Sequence, residues 1–167
     1  MSTLSSVCRH PVRTVTPGQT IREAAELMRE HHVGALVVVD QENPAEPVGI
    51  ITDRDIVVAI VALGLNPDLF LIDDMVDRPL TTARAEHGLR EGLDLMKAKG
   101  VRRLPLLDKA GKLTGVVALD DILAELAQDM SGIAAVVQAE IGSERALRKS
   151  RIRERQGTAP RTVRLRT

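Results

Sequence analysis

The chain of 167 residues carries 23 basic and 23 acidic side chains, and 44% of its residues are hydrophobic. This composition is ordinary for a globular protein of about one domain with a buried core, and it argues against a fibrous or membrane-spanning protein. Phe70 is the single Phe, Trp or Tyr residue. We therefore do not expect this chain to bind single-stranded nucleic acids by stacking their bases on aromatic side chains.

The sequence favours a cytoplasmic protein with no membrane span. Its longest apolar run, Ile56 to Leu63, is far shorter than the ~18 residues that a membrane-spanning helix needs. The N-terminus lacks the basic-then-apolar pattern of a secretory signal. The single cysteine, Cys8, rules out an internal disulfide and fits a reducing compartment.

The first part of the chain shows strand and helix patterns in alternation. Thr20 and Glu23 form a capping-box pattern, which indicates the start of a helix. The predicted elements are a strand at 12–15, a helix after residue 20 that ends near 31–32, a strand at 33–39, a returning strand at 48–51 and a helix from 52 to about 63.

The same pattern occurs a second time. His10 to Asp40 aligns with Arg78 to Asp108 at a constant offset of 68, and nine of these 31 positions are identical. The match resumes at an offset of 66 after the hairpin loop. An internal repeat of this kind predicts two copies of one structural unit. Because such copies usually pack face to face, the cleft between them is the expected place for function.

Both copies end in a related motif, Gly49-Ile-Ile-Thr-Asp-Arg-Asp55 in the first and Gly115-Val-Val-Ala-Leu-Asp-Asp121 in the second. With the repeat and the element order, these motifs resemble a cystathionine-β-synthase (CBS) domain pair, or Bateman module, and the chain is similar to small stand-alone bacterial proteins of that kind. The resemblance implies an α+β fold of two strand-helix-strand-strand-helix repeats, at 5–66 and 70–128. A C-terminal helical extension at 129–155 and a flexible basic tail at 156–167 follow.

The resemblance also implies a non-enzymatic regulatory module whose cleft binds an adenosine-containing ligand. AMP, ADP or ATP are the first choice, with NAD(P) or S-adenosylmethionine as alternatives. Asp55 would accept hydrogen bonds from the ribose hydroxyls, and Thr52 would contact ribose or phosphate. A carboxylate suits a diol because it only accepts hydrogen bonds. Thr and Asp at this spacing also fit a helix cap, and the two roles can coexist.

Transferring the family pattern predicts two sites. The first comprises Ile50, Thr52, Asp55, Pro79, Leu80, Val101, Arg102, Arg103 and Asp121. The second comprises Val12, Val33, Gly34, Ala35, Val116, Ala118 and Asp121. Arg102 and Arg103 are expected to face the cleft and bind phosphate. We expect weaker binding at the second site because Ala118 replaces the hydroxyl residue there, at a cost of ~0.5–1.5 kcal/mol.

In the helix predicted from 52 to about 63, residues 56–63 are apolar all the way round, which is typical of a helix covered on both sides. We therefore expect a homodimer that uses this helix and its counterpart near 120–127. The alternative is a helix buried wholly within one chain.

The C-terminal region is electrostatically distinct, since residues 144–167 carry nine basic and two acidic side chains. A solvated tail is the simplest interpretation. A second hypothesis is a dimeric adaptor that binds nucleic acid or an acidic surface through this tail. A third is a metal- or redox-regulated protein that uses Cys8 and the histidines. No metal site, catalytic motif or regulated partner protein can be assigned from the sequence.

Overall fold

The computed structural model describes residues 2–76 and 79–157, and side-chain environments are defined for 2–76, 79–136 and 138–140. The chain divides into two compact units, 1–123 and 124–167. From residue 158 onward, the predicted tail lies outside the described residues.

The first copy of the repeat has the predicted order of elements. The elements are helix α1 (Leu4–Val7), strand β1 (Thr14–Val15), helix α2 (Ile21–His31), strands β2 (Ala35–Val39) and β3 (Pro47–Thr52), helix α3 (Asp53–Ile56) and a π-helical segment (Val57–Val61). Two 3₁₀ turns (Pro67–Leu69 and Ile72–Asp74) lead into the second copy. That copy contains β4 (Ala83–Arg84), α4 (Leu89–Lys99), β5 (Arg103–Leu107), β6 (Leu113–Ala118) and α5 (Leu119–Gly157).

Each copy builds a three-stranded sheet, in the order β1-β2-β3 and β4-β5-β6. The first two strands of each sheet are parallel and the last two are antiparallel. The registers correspond, because Ala35 pairs with Thr52 in one sheet and Arg103 pairs with Ala118 in the other. The predicted α+β repeat is thus confirmed.

Local sequence signals set the ends of the first long helix. The hydroxyl of Thr20 accepts the N–H of Glu23 at 3.2 Å, and the Glu23 carboxylate accepts the N–H of Thr20 at 2.6 Å. These bonds satisfy N–H groups that have no partner within the helix. At the other end His32 adopts a left-handed conformation with φ of 52°, and Gly100 occupies the same position after α4.

Two separate apolar cores hold the sheets and helices together. The first contains Val15, Ile21, Ala24, Met28, Leu36, Val38, Ile51, Ile56, Ile60 and Ile72. The second contains Leu4, Ala83, Met96, Leu104, Leu106, Val117 and Ile122.

The segment that precedes each repeat packs into the core of the other repeat. Leu4 is fully buried in the second core, and its N–H donates to the carbonyl of His87 at 2.8 Å. Ile72, 68 residues later, is fully buried in the first core, and its N–H donates to the carbonyl of Gln19 at 2.9 Å. The predicted first repeat, 5–66, also begins with such residues, since the N–H of Ser5 donates to the carbonyl of Ala85 at 3.0 Å and Val7 packs against the second core.

The helix predicted from residue 52 to about 63 differs from a regular α-helix. After α3 the chain widens into the π-helical segment, where the N–H of Ala62 donates to the carbonyl of Val57 at 2.9 Å. Ile56 and Ile60 are buried in the first core, whereas Val58 and Val61 are more than half exposed. One face of the apolar helix is thus covered within the chain, and another is exposed among the described residues.

The C-terminal extension is a continuation of α5 and not a separate helix. The sequence indicates breaks at Ser131-Gly132 and at Gly142, but α5 runs through both positions. The Ser131 hydroxyl donates to the carbonyl of Ala127 at 2.9 Å, which satisfies this polar side chain inside a helix. Within 2–76 and 79–157, no helix is long and apolar enough to cross a membrane.

Candidate ligand-binding site

A cavity of about 250 Å³ lies between the two repeats of the first unit. It is lined by Arg9, Pro11, Val12, Arg13, His32, Val33, Gly34, Ala35, Val37, Ile50, Arg103, Val116, Ala118, Asp120 and Asp121. All seven residues predicted for the second site are among these, together with Ile50 and Arg103 from the first.

Strand alternation accounts for the apolar wall of the cavity. Along β6, Gly115 and Val117 are buried on the core side, so Val116 and Ala118 lie on the opposite face. Ile50 of β3 is likewise flanked by buried neighbours and lies on the face away from the core. These half-buried apolar side chains form a surface against which a flat ring can pack.

The polar lining carries a net positive charge. Three guanidinium groups, those of Arg9, Arg13 and Arg103, face two carboxylates, those of Asp120 and Asp121. Arginine binds phosphate through charge-assisted and often bidentate hydrogen bonds. The cavity therefore combines groups for an anion with an acceptor for hydroxyls.

The carboxylate of Asp121 is held from two sides. Its Oδ2 accepts the N–H of Ala118 at 2.9 Å, and its Oδ1 accepts the Nε–H of Arg9 at 2.9 Å. The Asp121 side chain is 11% exposed, whereas that of Arg9 is 71% exposed. A mostly buried acceptor is thus paired with a cation that reaches in from solvent.

The two adjacent arginines of the second repeat have different surroundings. Arg103 lines the cavity, whereas Arg102 lies 3.8 Å from Asp120 in an exposed ion pair and does not line it. Successive side chains of an extended chain point to opposite faces. Arg103 therefore lies in this cavity and Arg102 does not, and the predicted phosphate-binding role of Arg102 stays a prediction.

Gly34 makes room for the Arg103 side chain. A Cβ at Gly34 would lie 3.3 Å from Nη2 of Arg103 and 3.0 Å from Oδ2 of Asp53. Both contacts are closer than the usual carbon contact distance. The glycine predicted for the second site is thus explained by the space that these charged groups occupy.

Thr52 and Asp55 bind each other as a helix cap. Asp55 Oδ2 accepts the N–H of Thr52 at 2.8 Å and its hydroxyl at 2.6 Å. The Thr52 hydroxyl also accepts the N–H of Asp55 at 3.3 Å. The capping role anticipated as an alternative is therefore present, and the ribose role of this pair stays a prediction.

Other residues of the predicted first site line a different cavity. Pro79 and Leu80 line a second, more open cavity of about 710 Å³, together with the two hairpin loops. Thr52, Asp55 and Val101 contribute to neither of these two cavities.

Sequence reasoning missed Arg9, Arg13 and His32, which also line the first cavity. The two arginines flank Pro11 just before β1, and this basic cluster is the signal that could have indicated them. His32 follows α2, and its sequence position indicates only a helix end.

Cys8 and His10 form a pair beside the cavity, with the Cys8 Sγ 3.0 Å from Nε2 of His10. Burial raises the pKa of the Cys8 thiol, and the negative charge of Asp121 raises it further, by a smaller amount. In the part of the chain that the structure describes, no group of three or more His, Cys, Asp or Glu side chains could hold a metal ion.

Comparison with known proteins identifies the fold. The CBS domain model matches residues 4–62 and 72–128, which are the two repeats. The chain belongs to the CBS-domain family. An uncharacterised protein of Methanopyrus kandleri, MK0525, is 42% identical over 120 residues, which are 72% of this chain and 60% of that protein. The chain thus spans less than two thirds of that relative.

Solved CBS structures have the same architecture. The CBS domain protein PAE2072 from Pyrobaculum aerophilum, solved in complex with AMP, is 28% identical, with a TM-score of 0.66 over 76% of this chain and 99% of that one. Hypoxic Response Protein I, solved with two coordinated zinc ions, is 30% identical, with a TM-score of 0.64 over 74% of this chain and 98% of that one. The chain is therefore a CBS-domain pair, which is a regulatory module.

Proposed function

We propose that this CBS-domain protein is a non-enzymatic sensor that binds an adenosine-containing ligand, AMP, ADP or ATP first, in the cavity between its repeats. The observation that carries the proposal is the combination of Asp121 with three arginines on an apolar wall. The AMP complex of PAE2072 supports the same ligand class. The occupied state would be passed to a partner protein that the sequence does not identify.

Each part of a nucleotide has a matching group in the cavity. Asp121 would accept the ribose hydroxyls, and Ile50 and Val116 would pack against adenine. Arg103, with Arg9 or Arg13, would bind the phosphate. A volume of about 250 Å³ is below the ~300–1,000 Å³ of typical ligand pockets. This favours a mononucleotide over NAD(P).

The Thr52–Asp55 pair is proposed as a second ribose site. The sequence favours it as the stronger site, because it retains the hydroxyl that Ala118 lacks. The cavity that brings Asp121 together with three arginines shifts our proposal for the stronger site to Asp121. Titration calorimetry with AMP should therefore show a larger loss of affinity for Asp121→Ala than for Asp55→Ala, and the opposite order would restore the ranking from sequence.

Ligand binding can be tested directly on the purified protein. With no Trp or Tyr, the protein absorbs weakly near 280 nm, so a copurified adenine ligand would dominate the spectrum near 260 nm. Mass spectrometry after acid release would identify it as a nucleotide, NAD(P) or S-adenosylmethionine. A ligand selective for the folded state also raises the melting temperature. Protein with no 260 nm band, no thermal shift and no titration signal at millimolar nucleotide would refute the proposal.

We propose a homodimer through the exposed face of the π-helical segment. Val57, Val58, Val61 and Leu63 are more than half exposed and adjoin one another in sequence. An apolar patch of this kind is typical of a protein interface. Sedimentation should give twice the 18.1 kDa chain mass, and Val58→Glu should lower it while Ala98→Glu, exposed on α4, should not. A wild-type monomer would contradict the proposal.

Two other functions are distinguished by separate measurements. Nucleic-acid binding through the basic tail would appear as a gel shift that is lost when residues 144–167 are removed. The second is a metal-regulated function, which the Cys8–His10 pair and the zinc in Hypoxic Response Protein I favour. These residues could supply two of the four ligands of zinc. Metal analysis of the purified protein tests it, and a metal-free protein would exclude it.

A further inference from the structure

We infer that Arg9, through its ion pair with the Asp121 carboxylate, makes the cavity select phosphorylated nucleotides over nucleosides. The inference rests on the proposed function, because it assigns a specificity-determining residue to the same site. It concerns the single contact between the Nε of Arg9 and the Oδ1 of Asp121, at 2.9 Å.

The structure allows the Arg9 side chain to move without its backbone. The N–H of Arg9 donates to the carbonyl of Val116 at 3.0 Å, which fixes the base of the side chain beside β6. The side chain itself is 71% exposed. Although the Asp121 carboxylate is mostly buried, the guanidinium that pairs with it is largely in water and is therefore held only weakly. A ligand can therefore displace the guanidinium at little cost.

The two oxygens of Asp121 have different roles. Oδ2 accepts the N–H of Ala118 at the start of α5, so it serves the helix cap. Oδ1 accepts the hydrogen bond from Arg9. A ribose diol offers two O–H donors to one carboxylate, and it must compete with Arg9 for Oδ1.

The outcome of that competition depends on the phosphate. A nucleoside that displaces Arg9 leaves the guanidinium facing water, whereas a nucleotide provides a phosphate that the displaced guanidinium can bind. Arg9 lines the same cavity as Arg103, so both arginines can reach one anion. The arginine thus opposes nucleosides and favours nucleotides.

The other repeat carries no matching arginine. At the repeat offset of 68, the sequence position that corresponds to Arg9 is Asp77, which is an acid. We therefore make the inference only for the cavity that contains Asp121.

The test compares Arg9→Ala with wild type by titration calorimetry, with adenosine and AMP as the probes. We expect adenosine to bind about 3-fold more tightly to the variant, because no ion pair has to be broken. AMP should bind about 10-fold more weakly, because a charge-assisted hydrogen bond is lost. Arg90→Ala is the matched control, since it removes an arginine from an exposed ion pair with Asp94 on α4, and both affinities should stay unchanged.

Each result has a defined meaning. If Arg9→Ala leaves both affinities unchanged, or weakens both by the same factor, the inference is overturned while the proposed function stands. If wild type binds neither probe, the proposed function fails and the inference fails with it. Arg9→Gln, which keeps most of the length without the charge, replaces Arg9→Ala if circular dichroism shows that the latter does not fold, and the same expectations apply.

Discussion

Substitutions at Gly49 and Gly115 test whether the segments that contain Val76 and Cys8 pack closely against the two sheets. Gly49 lies in β3 beneath Val76, and a Cβ there would lie 2.1 Å from Cγ1 of Val76. At Gly115 in β6 the corresponding distance is 2.7 Å, to the Sγ of Cys8. Both values are below the ~3.5 Å at which nonbonded carbon atoms meet favourably. Replacing either glycine by alanine must therefore displace the segment that lies over it.

The two substitutions should differ in cost. At Gly49 the obstructing atom is a methyl group on a short β-branched side chain, which must withdraw by about 1.4 Å to reach a normal contact. Overpacking of this kind costs about 1–3 kcal/mol, and we expect the upper part of that range. At Gly115 the Cys8 thiol can turn away at the loss of its contact with His10, so we expect about 1 kcal/mol.

Urea unfolding followed by circular dichroism measures both costs. Gly18→Ala is the matched control, because a Cβ at Gly18 meets nothing within 4 Å. Adding Val76→Ala to Gly49→Ala should recover part of the lost free energy of unfolding. A Gly49→Ala variant as stable as wild type would refute the close contact between Gly49 and Val76. A double variant whose loss of stability equals the sum of the two single losses would refute it as well.

Three further outcomes follow from the structure. Because the pKa of Cys8 is raised, iodoacetamide should alkylate Cys8 more slowly than a free thiol at pH 8, and the rate should rise toward higher pH. A rate equal to that of free cysteine would contradict this. Thr20→Ala should cost about 1 kcal/mol in urea unfolding. The N–H of Thr20, and to a smaller extent its hydroxyl, lower the pKa of Glu23. The variant loses only the hydroxyl's part, which contributes above the unfolded pKa and is lost as the pH falls, so the difference from wild type should narrow slightly below about pH 4. A constant difference would be evidence against the bond between hydroxyl and carboxylate. Gly34→Ala should weaken AMP binding in calorimetry by crowding Arg103, with adenosine less affected, and equal losses would point to a general distortion of the cavity.

The elements governed by local chemistry could be predicted from the sequence. The capping box at Thr20 gives the start of α2, and strand alternation gives the hairpin of β2 and β3. The repeat offset predicted that the second copy would follow the first, and the sheets share their register. These features depend on residues close together in sequence or on the alignment of one copy with the other.

The features that could not be predicted depend on contacts between distant residues. Arg9 reaches Asp121 across 112 positions, and neither residue type nor spacing indicates that pair. The sequence does not indicate Leu4 as a core residue, because its burial depends on the second repeat. The widening of the helix at 57–61 is a further case, since an apolar run is compatible with both α- and π-helical hydrogen bonding.

The segments that precede the two repeats pack into each other's cores, and this exchange bears on how the chain evolved and on whether its two repeats can fold apart. Leu4 and Ile72 stand at equivalent positions, and each fills the core of the opposite copy. Two separate single-repeat chains could form the same contacts by exchanging their N-terminal arms, so gene fusion of an arm-swapped dimer would produce this topology without rearranging either core. For the same reason, cutting the chain between the repeats would leave each half with an arm that belongs to its neighbour, and the halves should regain structure only when they are mixed.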